Sequence, residues 1–527
     1  MKKAFVALLL VVALLCGSFS AVYAEEGEKV LHLYTDRVYR TFNQWMCSDG
    51  NVFEVMGSYS EGLFRLDENH NPQLALAESY TLSDDGLVYT FTLRDGLVWS
   101  NGTPLTAADF EFGWLKAIES VDYGYSSVLA AFIKNGMAYM NGECDASEVG
   151  IKALDEKTFE VTLANPTAFF DRLITLPVCF PLNEAFITEK GDQYALTADD
   201  ILYCGPFVCT SLDVAVGATL VKNPTYWDAE NVKLDGVEWK VITDSSAALN
   251  AFEAGEIDVV NLASADIIGY MSDPLFATRS DFRNYYLQFD VENEKMNLNI
   301  RKALSYAIDR ETLAYGVLMT GAVPAGGVVS QGINGNGEQT FREVAGANSA
   351  YDPELAKEYW AKGVEELGYT PELTMLTATG TDFDDMAVYV QDQFRTVLGI
   401  EVAINAMTQK ARNEVMNNET YDMALSAWGA DYDDAMTWLE LWTNDTGYRG
   451  NYAKPEYIEL VNQAMAETDP AARLEIMVKA ETMLIAEDMC VTGLYDRGYS
   501  YMLKDYVNGM FYHPVGQPVE VKYASIG

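Results

Sequence analysis

"ELTMLTATGTDFDDMAVYVQDQFRTVLGIEVAIN", residues 372–405, carries the pattern that decides the fold class. Its opening ELTMLT reads as a short strand, a helix is predicted over about 383–398 with Gly399 as its cap, and IEVAIN reads as the next strand. A further helix and the strand YDMALSAW, residues 421–428, follow. Strand–helix–strand alternation predicts parallel sheet covered by helices. "VEWKVITDSSAALNAFEAGEIDVV", residues 237–260, repeats that order: a strand with Val237, Trp239 and Val241, a helix closed at Gly255, and a strand at 257–260. The two units lie far apart in the chain, so they are assigned to two α/β lobes.

Residues 80–180 have a different character. In "GLVYTFTLRDGLVWSNG", residues 86–102, Tyr89, Phe91 and Leu93 alternate with Thr90 and Thr92, the mark of a half-buried strand ending at the Asp95-Gly96 turn. "TFEVTLANP", residues 158–166, repeats this with Phe159, Val161 and Leu163. Between them Thr106 and Asp109 stand at capping-box spacing ahead of an apolar helical face. This region is expected to be largely antiparallel.

The chain has 527 residues, too many for one core, and begins "MKKAFVALLLVVALLCGSFSAVYA", residues 1–24. Two lysines, a short apolar run and small residues at Val22 and Ala24 predict a secretory leader cleaved before Glu25 and hence an exported protein. Cys16 offers a second reading, as a lipid anchor. Asp and Glu number 78 against 35 Lys and Arg, a net charge of −43, and such a surface repels phosphate backbones and anionic lipid. Nucleic-acid partners are therefore excluded. Cys47, Cys144, Cys179, Cys204, Cys209 and Cys490 follow the leader, an even set that permits disulfides without fixing their pairing. With only three histidines, His32, His70 and His513, and no phosphate loop, nucleophile elbow or zinc motif, no metal, cofactor or catalytic residue is assigned. "DENHNPQLALAE", residues 67–78, approaches calcium-loop spacing, but Pro72 stands where such a loop needs glycine, and a turn between strands explains it.

The loop "AWGADYDDAMTW", residues 427–438, places Asp431, Asp433 and Asp434 between tryptophans without a basic neighbour. It follows the last strand of the second unit, and open α/β sheets bind ligands beyond the carboxyl ends of their strands. Asp431 is therefore read as facing a crevice. Asp433 and Asp434 are read as helix-start carboxylates ahead of "AMTWLELW".

Several segments, in order along the chain, resemble the extracytoplasmic solute-binding proteins of peptide ABC transporters. They are residues 61–112, "CGPFV" with "VKNPTYWDAENVKLDGV", "ALNAFEAGEIDVV" (248–260), "IRKALSYAIDRETL" (300–313), and "YDMALSAWGADYDDAMTWLELW" followed by "NYAKPEYIELV". The resemblance implies a periplasmic-binding-protein-like α/β fold: two α/β lobes around a ligand cleft, with an additional β-rich peripheral domain. It places lobe I at 25–57, 183–282 and 492–527, lobe II at 58–182 and lobe III at 283–491. It further implies a monomeric receptor that delivers peptides to ABC permease subunits. An extended peptide would pair with the backbone of Ala427, Trp428 and Gly429, and Asp431, in "W-G-A-D-Y", would receive its α-ammonium group. Tyr125 matches a tyrosine near the peptide in relatives. Leu425 stands where many peptide binders carry a basic residue, and residues 34–53, the usual opposite wall of the cleft, lack the family's opening motif. The ligand carboxylate must therefore be met in another way. A nickel chelate, opine or sugar cargo on the same fold, and a hydrolase using Asp431 and Asp433, are the alternatives.

Overall fold

The computed structural model describes residues 28–120, 125–444 and 446–527, so the expected leader, its cleavage site and Cys16 lie outside the described residues. Three sheets organise the chain. The first runs in the order Val30–Thr35, Gly236–Val241, Gly217–Lys222, Phe207–Asp213, its first pair parallel and the rest antiparallel. The second is antiparallel throughout: Ala77–Leu82, Val88–Leu93, Thr158–Thr162, Ile151–Ala153. Phe91 and Phe159 are fully buried while Thr92 is exposed, as the period-two pattern requires. Helix Ala107–Glu119 covers this sheet through Phe110 and Trp114, and at its start the Thr106 N–H donates to the Asp109 carboxylate at 2.7 Å.

The third and largest sheet follows the order Val259–Asn261, Val491–Leu503, Phe276–Phe289, Met423–Gly429, Leu373–Ala378, Val402–Met407. Leu373–Ala378 pairs in parallel with both Val402–Met407 and Met423–Gly429, as the alternation of residues 372–428 predicts. The intervening helix Thr381–Gln393 continues as a π turn, Phe394–Leu398, and stops at Gly399, whose φ of 69° suits a residue without a side chain.

The unit at 237–260 departs from expectation. Its helix Ser245–Ala254 forms, started by the Asp244 carboxylate and ended by Gly255 at φ 75°. The two flanking strands, however, do not share a sheet. Gly236–Val241 takes its parallel partner from Val30–Thr35, whereas Val259–Asn261 pairs antiparallel with Tyr501–Leu503 (501–503) of the large sheet. Alternation shows which residues are extended; it does not say which edge they complete. The turn at 67–71 is a hairpin connection between Phe64–Leu66 and Pro72–Leu74, with Asp67 accepting from the Asn69 and Asn71 N–H groups. The six cysteines that follow the leader are all free thiols.

One irregularity matters for function. The long strands Phe276–Phe289 and Val491–Leu503 lose register between Ser280 and Asn284, and Phe282 adopts φ 44°. Residues 281–283 therefore oppose a single residue, Arg497, and the strand bends there.

Candidate functional site

A cavity of about 690 Å³ opens at that bend. One wall comes from residues 34–37 and 48–54, as expected for the opposite side of the cleft; the other comes from Gly429, Ala430 and Asp431. Arg279, Asp281, Arg283, Arg497 and Tyr499 from the two long strands form its floor, and Tyr125 enters from the side. The cavity thus gathers segments spread over most of the chain.

Asp431 lies just past the end of its strand, as predicted. Its N–H donates to Thr437 Oγ1 at 3.1 Å, which fixes the loop, while its carboxylate has no hydrogen-bond partner among the described residues. Burial pushes that carboxyl up to about 6, opposed by the charge of Arg283. Tyr125 sits in the same cavity against Phe53, and burial, then the Asp431 charge, holds its phenol above the ordinary range, so it faces the cavity as an O–H. Glu54, also in the cavity wall, is pushed up to about 7 by burial, with Arg279 and Arg37 opposing.

Ala427, Trp428 and Gly429 form the end of their strand, but their backbones are not equivalent. On one side the strand pairs with Phe276–Phe289 through Gly429, whereas its pairing with Leu373–Ala378 ends at Ala424. Backbone groups alternate sides along an antiparallel pair. The Leu425 carbonyl turns away from the neighbour and accepts from Arg412, and the Ala430 N–H turns toward it, donating to the Phe282 carbonyl at 3.0 Å. By this alternation Ala427 and Gly429 present N–H and C=O to the open edge, and Trp428 points its own at the neighbouring strand. Trp428 therefore departs from the sequence expectation: its backbone is turned to the neighbouring strand, and its ring lies against the Arg449 guanidinium at 5.0 Å. Gly429 has a second role, because a Cβ there would meet the Arg283 guanidinium at 3.2 Å.

Asp433 and Asp434 also differ from expectation. Asp434 is buried and accepts two bonds from Arg473, at 2.6 and 2.9 Å, besides the Met436 N–H at the start of the single helical turn Met436–Leu439. Asp433 accepts from the Asn334 N–H at 2.9 Å and from Arg172 at 3.4 Å. Both carboxylates pin the loop to distant segments, and the helix-start role is secondary. Tyr432 does the same with its ring, stacked on Phe169 at 4.3 Å. Asp431 alone of the three is left facing the cavity.

Residues 71–450 match the family described as bacterial extracellular solute-binding proteins, family 5, middle region. The chain belongs to that family. It is 30% identical over 503 residues to the dipeptide-binding protein DppE of Bacillus subtilis, covering 94% of this chain and 92% of the relative. It is 31% identical over 456 residues to the oligopeptide-binding protein OppA of the same organism, covering 82% and 81%. Among solved structures, Listeria monocytogenes OppA bound to peptide superimposes with a TM-score of 0.75 at 32% identity, over 95% of this chain and 99% of that one. This solute-binding protein therefore has the binding-protein fold that its sequence implied, and its cavity lies where the long strands of that fold bend. No helix among the described residues is long and apolar enough to cross a membrane.

Sequence reasoning missed the floor of the cavity. "FATRSDFRNYYLQF", residues 276–289, spaces Arg279, Asp281 and Arg283 two apart, so they share one face of the strand, and they are its only charged residues. That charged face was the available signal. Leu425, in the position of the missing basic residue, is fully buried in the core beneath the large sheet.

Proposed function

We propose that this protein is the extracytoplasmic receptor of an ABC importer, capturing peptides in the cavity and delivering them to permease subunits as a monomer. In this reading the ligand's α-ammonium group meets Asp431, its backbone adds as a strand along Ala427 and Gly429, and Tyr125 donates to it from the side. The carrying observation is Asp431 itself: a carboxylate in a cavity, raised by burial and without a hydrogen-bond partner among the described residues. A ligand ammonium supplies the missing partner, and the charge-assisted bond strengthens as water leaves. The peptide-binding roles of the B. subtilis and Listeria relatives support a peptide cargo.

The lobes are placed at 25–57, 183–282 and 492–527 (I), 58–182 (II) and 283–491 (III), with the hinge where the ladder breaks between Ser280 and Asn284; that break supports the I/III boundary. We place the protein outside the cytoplasm, exported by the leader at residues 1–24. The site works by binding and not by catalysis: of the two carboxylates a hydrolase would set against each other, Asp431 lines the cavity and Asp433 is held by Arg172 and the Asn334 N–H. Mass spectrometry of small molecules released from gently purified protein tests the reading. A mixture of short peptides is expected; a sugar, an opine or a metal chelate would overturn it.

A further inference from the structure

The cavity is close to balanced in charge although the chain is strongly acidic. Four arginines, Arg37, Arg279, Arg283 and Arg497, line it. Three have a carboxylate within ion-pair reach. Arg37 meets Asp36 at 3.1 Å, Arg283 lies 3.9 Å from Asp281, and Arg497 is bonded to the same Asp281. Arg279 has none among the described residues, and its Nε is buried without an acceptor. The buried Arg65 and Arg473 are paired with carboxylates, and the buried Arg301, Arg310 and Arg412, which lack one, donate to backbone carbonyls instead, whereas Arg279 makes no hydrogen bond among the described residues.

The setting of Arg279 is built. Its guanidinium carbon lies 4.2 Å from the ring centroid of Tyr499 and 4.2 Å from that of Tyr512, so aromatic rings flank the group. Tyr499 is its cross-strand partner in the ladder, and Tyr512 comes from the C-terminal segment. Flanking rings orient the guanidinium plane, and its N–H donors lie along the edge of that plane. An edge of that kind matches the two oxygens of a carboxylate.

We infer that Arg279, framed by Tyr499 and Tyr512, is the anion-receiving subsite of this cavity and binds a carboxylate of the peptide, either the C-terminal group or an acidic side chain. The inference rests on the peptide-receptor reading above. It also accounts for the buried Leu425: the carboxylate is met from the long strand at the floor instead of from the strand that ends at Gly429. Arg283 and Arg497, already sharing Asp281, hold the floor in shape and leave Arg279 free for the ligand.

Calorimetric titration of the full mature chain tests this with alanine peptides of two to five residues, each as free acid and as C-terminal amide, and with the amides carrying one Glu or one Gln. For wild type, the step from free acid to amide, or from Glu to Gln, is expected to weaken binding on the order of ten- to a hundredfold. The step that shows the loss identifies the source of the carboxylate. Arg279→Met should lose that preference, and Arg279→Lys should restore part of it, because a point charge replaces a planar fork. Loss on N-terminal acetylation should persist in Arg279→Met, which shows that its cavity is intact. An equal penalty for amidation in wild type and Arg279→Met, or a wild type indifferent to both carboxylate replacements, would overturn the inference while peptide binding stands. Failure of wild type to bind any of the peptides would instead overturn the receptor reading, and the assignment of Arg279 with it. The wild-type comparison of acid with amide needs no variant, so an unstable Arg279→Met cannot mask the result.

Discussion

Replacing Asp431 by Asn, and titrating binding against pH, probes the proposed amine anchor most directly. Before binding, burial holds the Asp431 carboxyl at about 6, so near pH 7.5 it is almost fully ionised and ready for a cation. The bound ammonium stabilises the ionised form and lowers that value. The sign follows: below about pH 6 the free site holds a proton that must leave before the ligand can pair, so affinity falls on acidification. For one group titrating at about 6, the drop from pH 7.5 to 5 is about tenfold, or about 1.4 kcal/mol. Asp431→Asn should lose on the order of 2 to 5 kcal/mol of binding at neutral pH, since the ligand charge would be desolvated without its partner. The same variant should flatten the acid limb. Glu54, raised to about 7 in the same cavity, also titrates in this range, and any slope that survives in Asp431→Asn belongs to it or to the ligand. Calorimetry in buffers of different ionisation enthalpy counts the protons released, and peptides with free and acetylated N-termini close a double-mutant cycle. An unchanged acid limb in Asp431→Asn, or an acetylation penalty equal in both proteins, would refute the assignment.

Asp434→Asn leaves Arg473 buried without its counter-charge and should cost about 3 to 5 kcal/mol in urea unfolding, whereas Asp433→Asn, at the longer 3.4 Å contact, should cost less than half as much. If both carboxylates were only helix-start residues, the two losses would be equal and below about 1 kcal/mol. Gly498→Ala should lower the melting temperature, because a Cβ there would lie 2.1 Å from the Gly321 backbone beside the bend; an unchanged melt would show that the two segments separate freely. Small-angle scattering should show compaction on peptide binding as the lobes close about the break at 280–284, and an unchanged radius at saturation would count against a hinge there.

What could be read from the chain alone was local. The helices at 107–119, 245–254 and 381–393 declare themselves through Thr106 with Asp109, Gly255 and Gly399, and the strands at 88–93 and 158–162 through alternation, since caps and periodicity act over a few residues. The placement of Asp431 just past a strand end was legible for the same reason. Partners and edges were not. Nothing in residues 257–260 says that the strand there completes the edge at Tyr501 and not the sheet of Gly236–Val241, and nothing beside Asp434 announces Arg473. The charges of Arg279, Asp281 and Arg283 were visible as a spacing, but their meaning depends on a register break between strands that are more than two hundred residues apart in the chain. Only tertiary packing could decide that Asp281 pairs with Arg497 and that Arg279 has no carboxylate partner among the described residues, because charge pairing is set by distance in space, which sequence spacing does not encode between strands so far apart in the chain.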